Sequence, residues 1–169
     1  VEESIVLESG QIVRRGDRLA MEGYRLVSTS GDLSLSGELF LSPKDDKGAI
    51  VGALGYDIDA VIDLDLHTFS AGNPSLPPMV GLVDVHARAR GVDGDVQVDG
   101  LVEMNGGRFA RHVIGDAEAR LAYEDGGIQL QRLWVGTAGG EVTGSGQLQL
   151  GERSTFFADL ELDGVQLAE

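Results

Sequence analysis

A chain of 169 residues suffices for one ordinary domain with a core, and 28 acidic against 13 basic residues leave it a formal net charge of −15. That charge repels phosphate backbones and anionic bilayer surfaces over a Debye length of about 8 Å, which weighs against nucleic-acid binding and peripheral membrane docking. The lack of cysteine rules out a disulfide scaffold and a zinc–thiolate site, while 25 glycines beside 5% aromatics imply an interior of Leu, Val, Ile and Ala.

The chain opens Val1-Glu2-Glu3-Ser4 and holds no apolar run near the ~20 residues of a membrane span, so any anchor is expected outside this stretch. Arg15-Gly16-Asp17 reads as a turn. Gly31 to Leu41 then alternates aliphatic and polar residues at period two, the mark of a strand with one apolar face. Pro43 to Gly48 is a turn. From Tyr56 to Leu66 the even positions are apolar and the odd ones, Val61 aside, acidic. Residues 68–81 hold three of the four prolines and are expected to form a loop or a junction between two stacked units.

Val83 to Arg90 alternates with His86, Arg88 and Arg90 outward, and Gly94 to Met104 repeats the pattern of Gly31 to Leu41. Asn105-Gly106-Gly107 is a turn signal. Gly107 to Tyr123 contains good helix formers, but its parity favours two strands broken at Gly115-Asp116. Past the Asp125-Gly126-Gly127 turn, Ile128 to Val135 slips one position at Arg132, as a β-bulge would. Beyond the Gly139-Gly140 turn, Gly140 to Leu150 is the third copy of the glycine–acid–alternation pattern. The Gly151-Glu152-Arg153 turn leads to a last strand, Ala158 to Asp163. The whole reads as an all-β antiparallel meander of roughly a dozen strands with an aliphatic face.

No constellation for catalysis emerges, and the expectation is a protein that is not an enzyme and needs no cofactor. His67, His86 and His112 are far apart and read as surface residues. Asp93-Gly94-Asp95 with Asp99 suggests a calcium loop, yet Val98 and Met104 stand where that loop needs glycine and glutamate. Asp59, Asp63 and Asp65 line one strand face and suggest a solvated edge that resists aggregation. The glycine runs at 136–140 and 144–146 open no helix, so neither cradles phosphate. Asn73-Pro74-Ser75 is barred from glycosylation by its proline.

Leu76-Pro77-Pro78, Gly81, Val83, Ala87, Gly91, Gly100, Ala117-Glu118-Ala119, Leu121, Tyr123, Gly127, Gly139-Gly140, Gly144-Ser145-Gly146, Leu148 and Leu150 together resemble the repeats of the TamB and AsmA superfamily, as does the ending Phe157 to Val165. The similarity covers most of the chain and is strongest from about residue 76 onward. It implies one segment of a long, folded-over β-sheet, a taco-like open trough anchored in the inner membrane of a Gram-negative bacterium and crossing the periplasm. It further implies phospholipid transport between the two membranes and work with an Omp85-type outer-membrane barrel, a TamA-like partner.

On that reading the acyl chains of phospholipid lie against the inward aliphatics: Leu33, Leu35, Leu39, Leu41, Ile58, Ile62, Leu64, Leu66, Val83, Val85, Val96, Val98, Val102, Met104, Leu121, Ile128, Leu130, Leu148, Leu150, Leu160 and Leu162. The same alternation would also arise in a closed sandwich or a β-solenoid stalk, whose apolar faces are sealed. Two other functions fit it: assembly of outer-membrane proteins by pairing of strand edges, and a structural spacer.

Overall fold

The computed structural model describes residues 5–41, 53–73, 75–92, 94–137, 139–150 and 154–165. Ten strands follow one another in chain order and pair only with their sequence neighbours, so the sheet is a pure antiparallel meander. They are β1 (Val6–Arg15), β2 (Arg18–Val27), β3 (Gly31–Leu41), β4 (Ala53–Asp65), β5 (Met79–Val92), β6 (Asp95–Phe109), β7 (His112–Glu124), β8 (Gly127–Thr137), β9 (Gly140–Gln149) and β10 (Thr155–Asp163). β1 and β10 make no contact with each other, which leaves the sheet open with both as edges. The expected all-β antiparallel architecture stands, with ten strands among the described residues where about a dozen were anticipated.

Period-two sequence became strands here because nearly every connection is short and the ladder satisfies the backbone of both partners. Asp125 and Gly126, at φ 50° and 72°, close β7 onto β8 in the doubly left-handed turn that matches strand twist. The slip anticipated at Arg132 is a bulge, with Arg120 opposite Arg132 but Leu121 opposite Leu130.

Three local expectations are overturned. Asn105-Gly106-Gly107 is not a turn: β6 runs through it to Phe109, and the glycines accommodate a ladder irregularity between Met104 and Gly107. The reversal falls at Ala110 and Arg111, where Ala110 takes φ 52° without being glycine. β7 therefore runs unbroken through Gly115-Asp116, with Gly115 at φ 75° opposite Gly107.

Residues 68–81 are not simply a loop, because a seven-residue helix, α1 (Leu66–Gly72), extends into them and β5 begins at Met79. Asp65 ends the acidic alternation of β4 and caps α1: its Oδ1 accepts from the His67 amide at 2.8 Å and the Thr68 amide at 3.4 Å. Those amide bonds, His67's first, hold the Asp65 carboxyl below its usual range. The buried Ser70 hydroxyl accepts from the Met79 amide at 3.2 Å and fastens α1 to β5. The expected turns at 43–48 and 151–153, and Asp93 of the calcium reading, lie outside the described residues.

Candidate functional site

Directly opposite residues in an antiparallel ladder share a face, so the register decides which side chains form a surface. One row crosses all ten strands: Leu7, Leu26, Leu33, Ile62, Val85, Val102, Ala119, Leu133, Gly144 and Leu160. Two residues along, Leu35, Ala60, Ala87, Gly100, Leu121, Leu130, Gly146 and Ala158 form a second, smaller-residue row. Beyond it run Gly37, Ile58, Ala89, Val98, Tyr123, Ile128, Leu148 and Phe156. On the other side lie Leu64, Val83, Met104, Ala117, Val135, Val142 and Leu162. The strands thus lay aliphatic and small residues side by side over the entire width of the sheet.

Among the described residues no second layer covers this surface. Among the described residues Ala20, at 4% exposure, is the one buried hydrophobic residue, and no large side chain is fully buried. Ile62, Val85, Val98 and Val102 are half-buried by their neighbours alone. The face becomes fully exposed toward β10, where Phe156 is 74% and Leu160 51% accessible.

The aliphatics singled out from the sequence are placed by this register as follows. Leu33, Leu35, Leu39, Ile58, Ile62, Leu64, Val83, Val85, Val96, Val98, Val102, Met104, Leu121, Ile128, Leu130, Leu148, Leu160 and Leu162 share the face, Leu39 through Tyr56 and Val96 through Gly91. Leu41 follows a ladder shift and pairs with Ala53. Leu150 is just past β9 and exposed, its amide donating to Gly126 at 2.9 Å. Leu66 departs from the set: it opens α1 instead of extending β4, because the Asp65 cap turns the chain out of the sheet. Leu19, Met21 and Tyr24 of β2 join the same face through Leu39, Gly37 and Leu35, and their irregular spacing, with a ladder shift between Met21 and Tyr24, hid them from a period-two reading.

The opposite face carries the charges. Arg88 is bidentate to Asp57, Nε to Oδ1 at 2.8 Å and Nη2 to Oδ2 at 2.6 Å, which holds Asp57 below and Arg88 above their ordinary ranges. Arg25 pairs with Asp32 at 2.6 Å and Glu8 at 3.1 Å, Arg18 with Glu38 at 2.9 Å, and Arg90 with Asp99 at 3.3 Å. A shallow depression of about 340 Å³ on this face is bordered by His86, Arg88, Asp99, Leu101 and Arg120.

The acids Asp59, Asp63 and Asp65 do not form an edge. β4 is the fourth of ten strands, flanked by β3 and β5, so Asp59 lies beside Arg88, Asp63 stands opposite Asp32 and Asp84, and Asp65 caps α1. His67, His86 and His112 are exposed and separate, and no group of three metal-ligating side chains occurs among the described residues. No described helix is long and apolar enough to cross a membrane. Comparison with family models, curated proteins and solved structures returns no match to this chain.

Proposed function

We propose that the chain is a lipid-shielding segment: its uncovered apolar face takes up the acyl chains of phospholipid, within a periplasmic bridge between inner and outer membrane of a Gram-negative bacterium. The observation that carries this reading is the in-register apolar row running from Leu7 to Leu160 with no layer above it. A sealed core or a stalk would bury such a row, because exposed apolar patches of this extent mark an interaction surface.

Moving an acyl chain of ~16 methylenes through water costs on the order of 13 kcal/mol at ~0.8 kcal/mol per methylene. A surface that is aliphatic at every strand crossing removes much of that cost at each point and offers no deep site in which the chain would stall. The headgroup stays in solvent, consistent with a face that holds no charge between β3 and β9. In the taco-like trough implied by the resemblance to TamB and AsmA repeats, the sheet curls so that this face becomes the lining, and a TamA-like barrel of the Omp85 type receives the outer end.

The test is native mass spectrometry and lipid extraction of protein purified without detergent. Bound phospholipid that is lost in Val98→Asp, with the β spectrum retained, supports the reading. A lipid-free wild type that melts cooperatively contradicts it.

A second reading, strand pairing with an outer-membrane protein or its barrel, is favoured by one feature. β10 pairs with β9 over nine consecutive residues without a bulge, and among the described residues no strand pairs with its other edge. Unblunted edges of this kind template further strands. Cross-linking from β10 to peptide, in place of lipid, would select this alternative.

A further inference from the structure

The two edges of the sheet are built differently. β1 carries register shifts between Leu7 and Ser9 and between Ser9 and Gln11, and its charged side chains are engaged by β2, Glu8 by Arg25 at 3.1 Å and Arg15 by Glu22. β10 keeps one register with β9 over nine residues, all nine are exposed, and among the described residues no strand lies on its outer side. Its outward amides and carbonyls therefore form a straight template for one more strand, whereas the shifts in β1 interrupt the other edge. Phe156, Leu160 and Leu162 bring the apolar face out to that template.

The charges on β10 select the strand that fits. On its polar face Asp159, Glu161 and Asp163 stand opposite Ser145, Thr143 and Glu141 of β9, and among the described residues no cation lies within ion-pair distance of the three. The same alternation occurs inside the sheet with its partner in place. β4 alternates Asp57 and Asp59 with Ile58 and Ala60, and β5 sets Arg90 and Arg88 opposite the acids and Ala89 and Ala87 opposite the apolar residues. Arg88 is bidentate to Asp57 and lies 3.9 Å from Asp59. β10 is a strand of the β4 kind placed at an edge, without its β5. We propose that the outer edge of β10 is a docking site for an extended segment of another protein in which Arg or Lys alternates with apolar residues, added antiparallel so that its cations meet Asp159 and Glu161 and its apolar residues prolong the row that ends at Leu160. Such a site presupposes the strand-pairing reading, to which it adds the partner's chemistry.

A second copy of this chain does not fit the edge. Two β10 strands joined antiparallel with their apolar faces on one side meet acid to acid: a two-fold axis at Asp159 or at Glu161 sets that residue against itself, and one at Leu160 sets Asp159 against Glu161. The β1 edge of a second copy offers a ladder broken by two register shifts. The acids therefore discourage self-pairing without closing the edge, since β10 holds neither the proline, the lysine nor the bulge by which edges are blunted. An ion pair at so exposed a position contributes little by itself, so backbone pairing supplies most of the affinity and the acids supply the choice among strands.

The test uses the 169-residue chain and synthetic peptides of the nine-residue length of β10 that alternate Val with Arg or Val with Thr, together with a scrambled Val/Arg peptide. Binding is followed by fluorescence anisotropy and located by amide hydrogen exchange. The expected result is that the alternating Val/Arg peptide binds, protects the amides of β10 and not those of β1, and loses about tenfold in affinity in Asp159→Asn/Glu161→Gln, the size expected of two solvent-exposed ion pairs. The Val/Thr peptide should bind the wild type about tenfold more weakly than the Val/Arg peptide does and should not distinguish wild type from variant. Asp17→Asn/Asp95→Asn removes the same net charge at exposed positions away from β10 and should leave the affinity nearly unchanged. Equal affinity of the Val/Arg and Val/Thr peptides at β10 would overturn the charge selection while strand pairing stands. An equal loss in both double variants, or equally tight binding of the scrambled peptide, would reduce the effect to attraction by net charge and overturn the site as well. Failure of every peptide to protect β10 would overturn strand pairing itself, and this site with it.

Discussion

On one face of the sheet, Ile62 meets Val85 and Val85 meets Val102; one residue along the same strands, Asp63 meets Asp84 and Asp84 meets Glu103. The same backbone ladder thus builds a surface that water rejects and one that water must keep solvated. The apolar face works through area: Ile62, Val85, Val98 and Val102 are half-covered by their neighbours, and the remaining exposure is open. The polar face works through pairwise chemistry, with arginines set against acids as Arg88 is against Asp57. Stability on the first face should therefore depend on shape, and on the second on protonation.

The largest effect should come from shape. Gly37 lies on the apolar side at φ 153°, and a β-carbon there would come within 2.7 Å of the Ile58 α-carbon and against the Asp57 carbonyl, in the middle of a paired strand. Gly37→Val is expected to cost about 3 kcal/mol of unfolding free energy in urea, since neither backbone can give way. Val98→Asp changes chemistry and not shape. It should lower stability by only about 1–2 kcal/mol, because Val98 is half-exposed, while abolishing lipid uptake in native mass spectrometry.

On the polar face, Arg88→Ala removes the bidentate pair with Asp57, yet both partners are well solvated, so the urea midpoint at neutral pH should hardly move. Its signature is in the pH profile. Asp57 is held low by Arg88, so the wild type loses that contribution as pH falls through the lowered range, and the variant should show no such loss. A small effect, and a stabilising one, is expected of Ala110→Gly: Ala110 turns at φ 52°, and glycine there should add about 0.5 kcal/mol, read as a small rise in Tm.

These two faces were unequally legible. Alternation in Gly31–Leu41, Tyr56–Asp65 and Val83–Arg90 named both the strands and the aliphatics of the apolar side, because period-two parity survives any register that shifts by two. The row of acids across the polar face needs the register itself: residues 32, 63, 84, 103 and 118 are unrelated in sequence spacing and align only once each turn has fixed its strands. The turn at Ala110 carries no glycine, proline or asparagine, whereas the nearby Asn105-Gly106-Gly107 carries an asparagine and two glycines and serves a ladder irregularity instead. At Asp65 the alternation continued one residue too far, since an acid that suits a polar strand face equally suits a helix cap.

The proposal that the apolar face takes up acyl chains is tested most directly by nuclear magnetic resonance of the methyl groups in the presence of phospholipid with a spin-labelled acyl chain. Val61 and Leu101 supply an internal control, since both lie on the polar face among the strands whose other side carries Ile62, Val85 and Val102. Strong broadening of Ile62, Val85 and Val102, with Val61 and Leu101 left sharp, is the predicted result. Equal broadening on both faces, or none on either, would contradict the account.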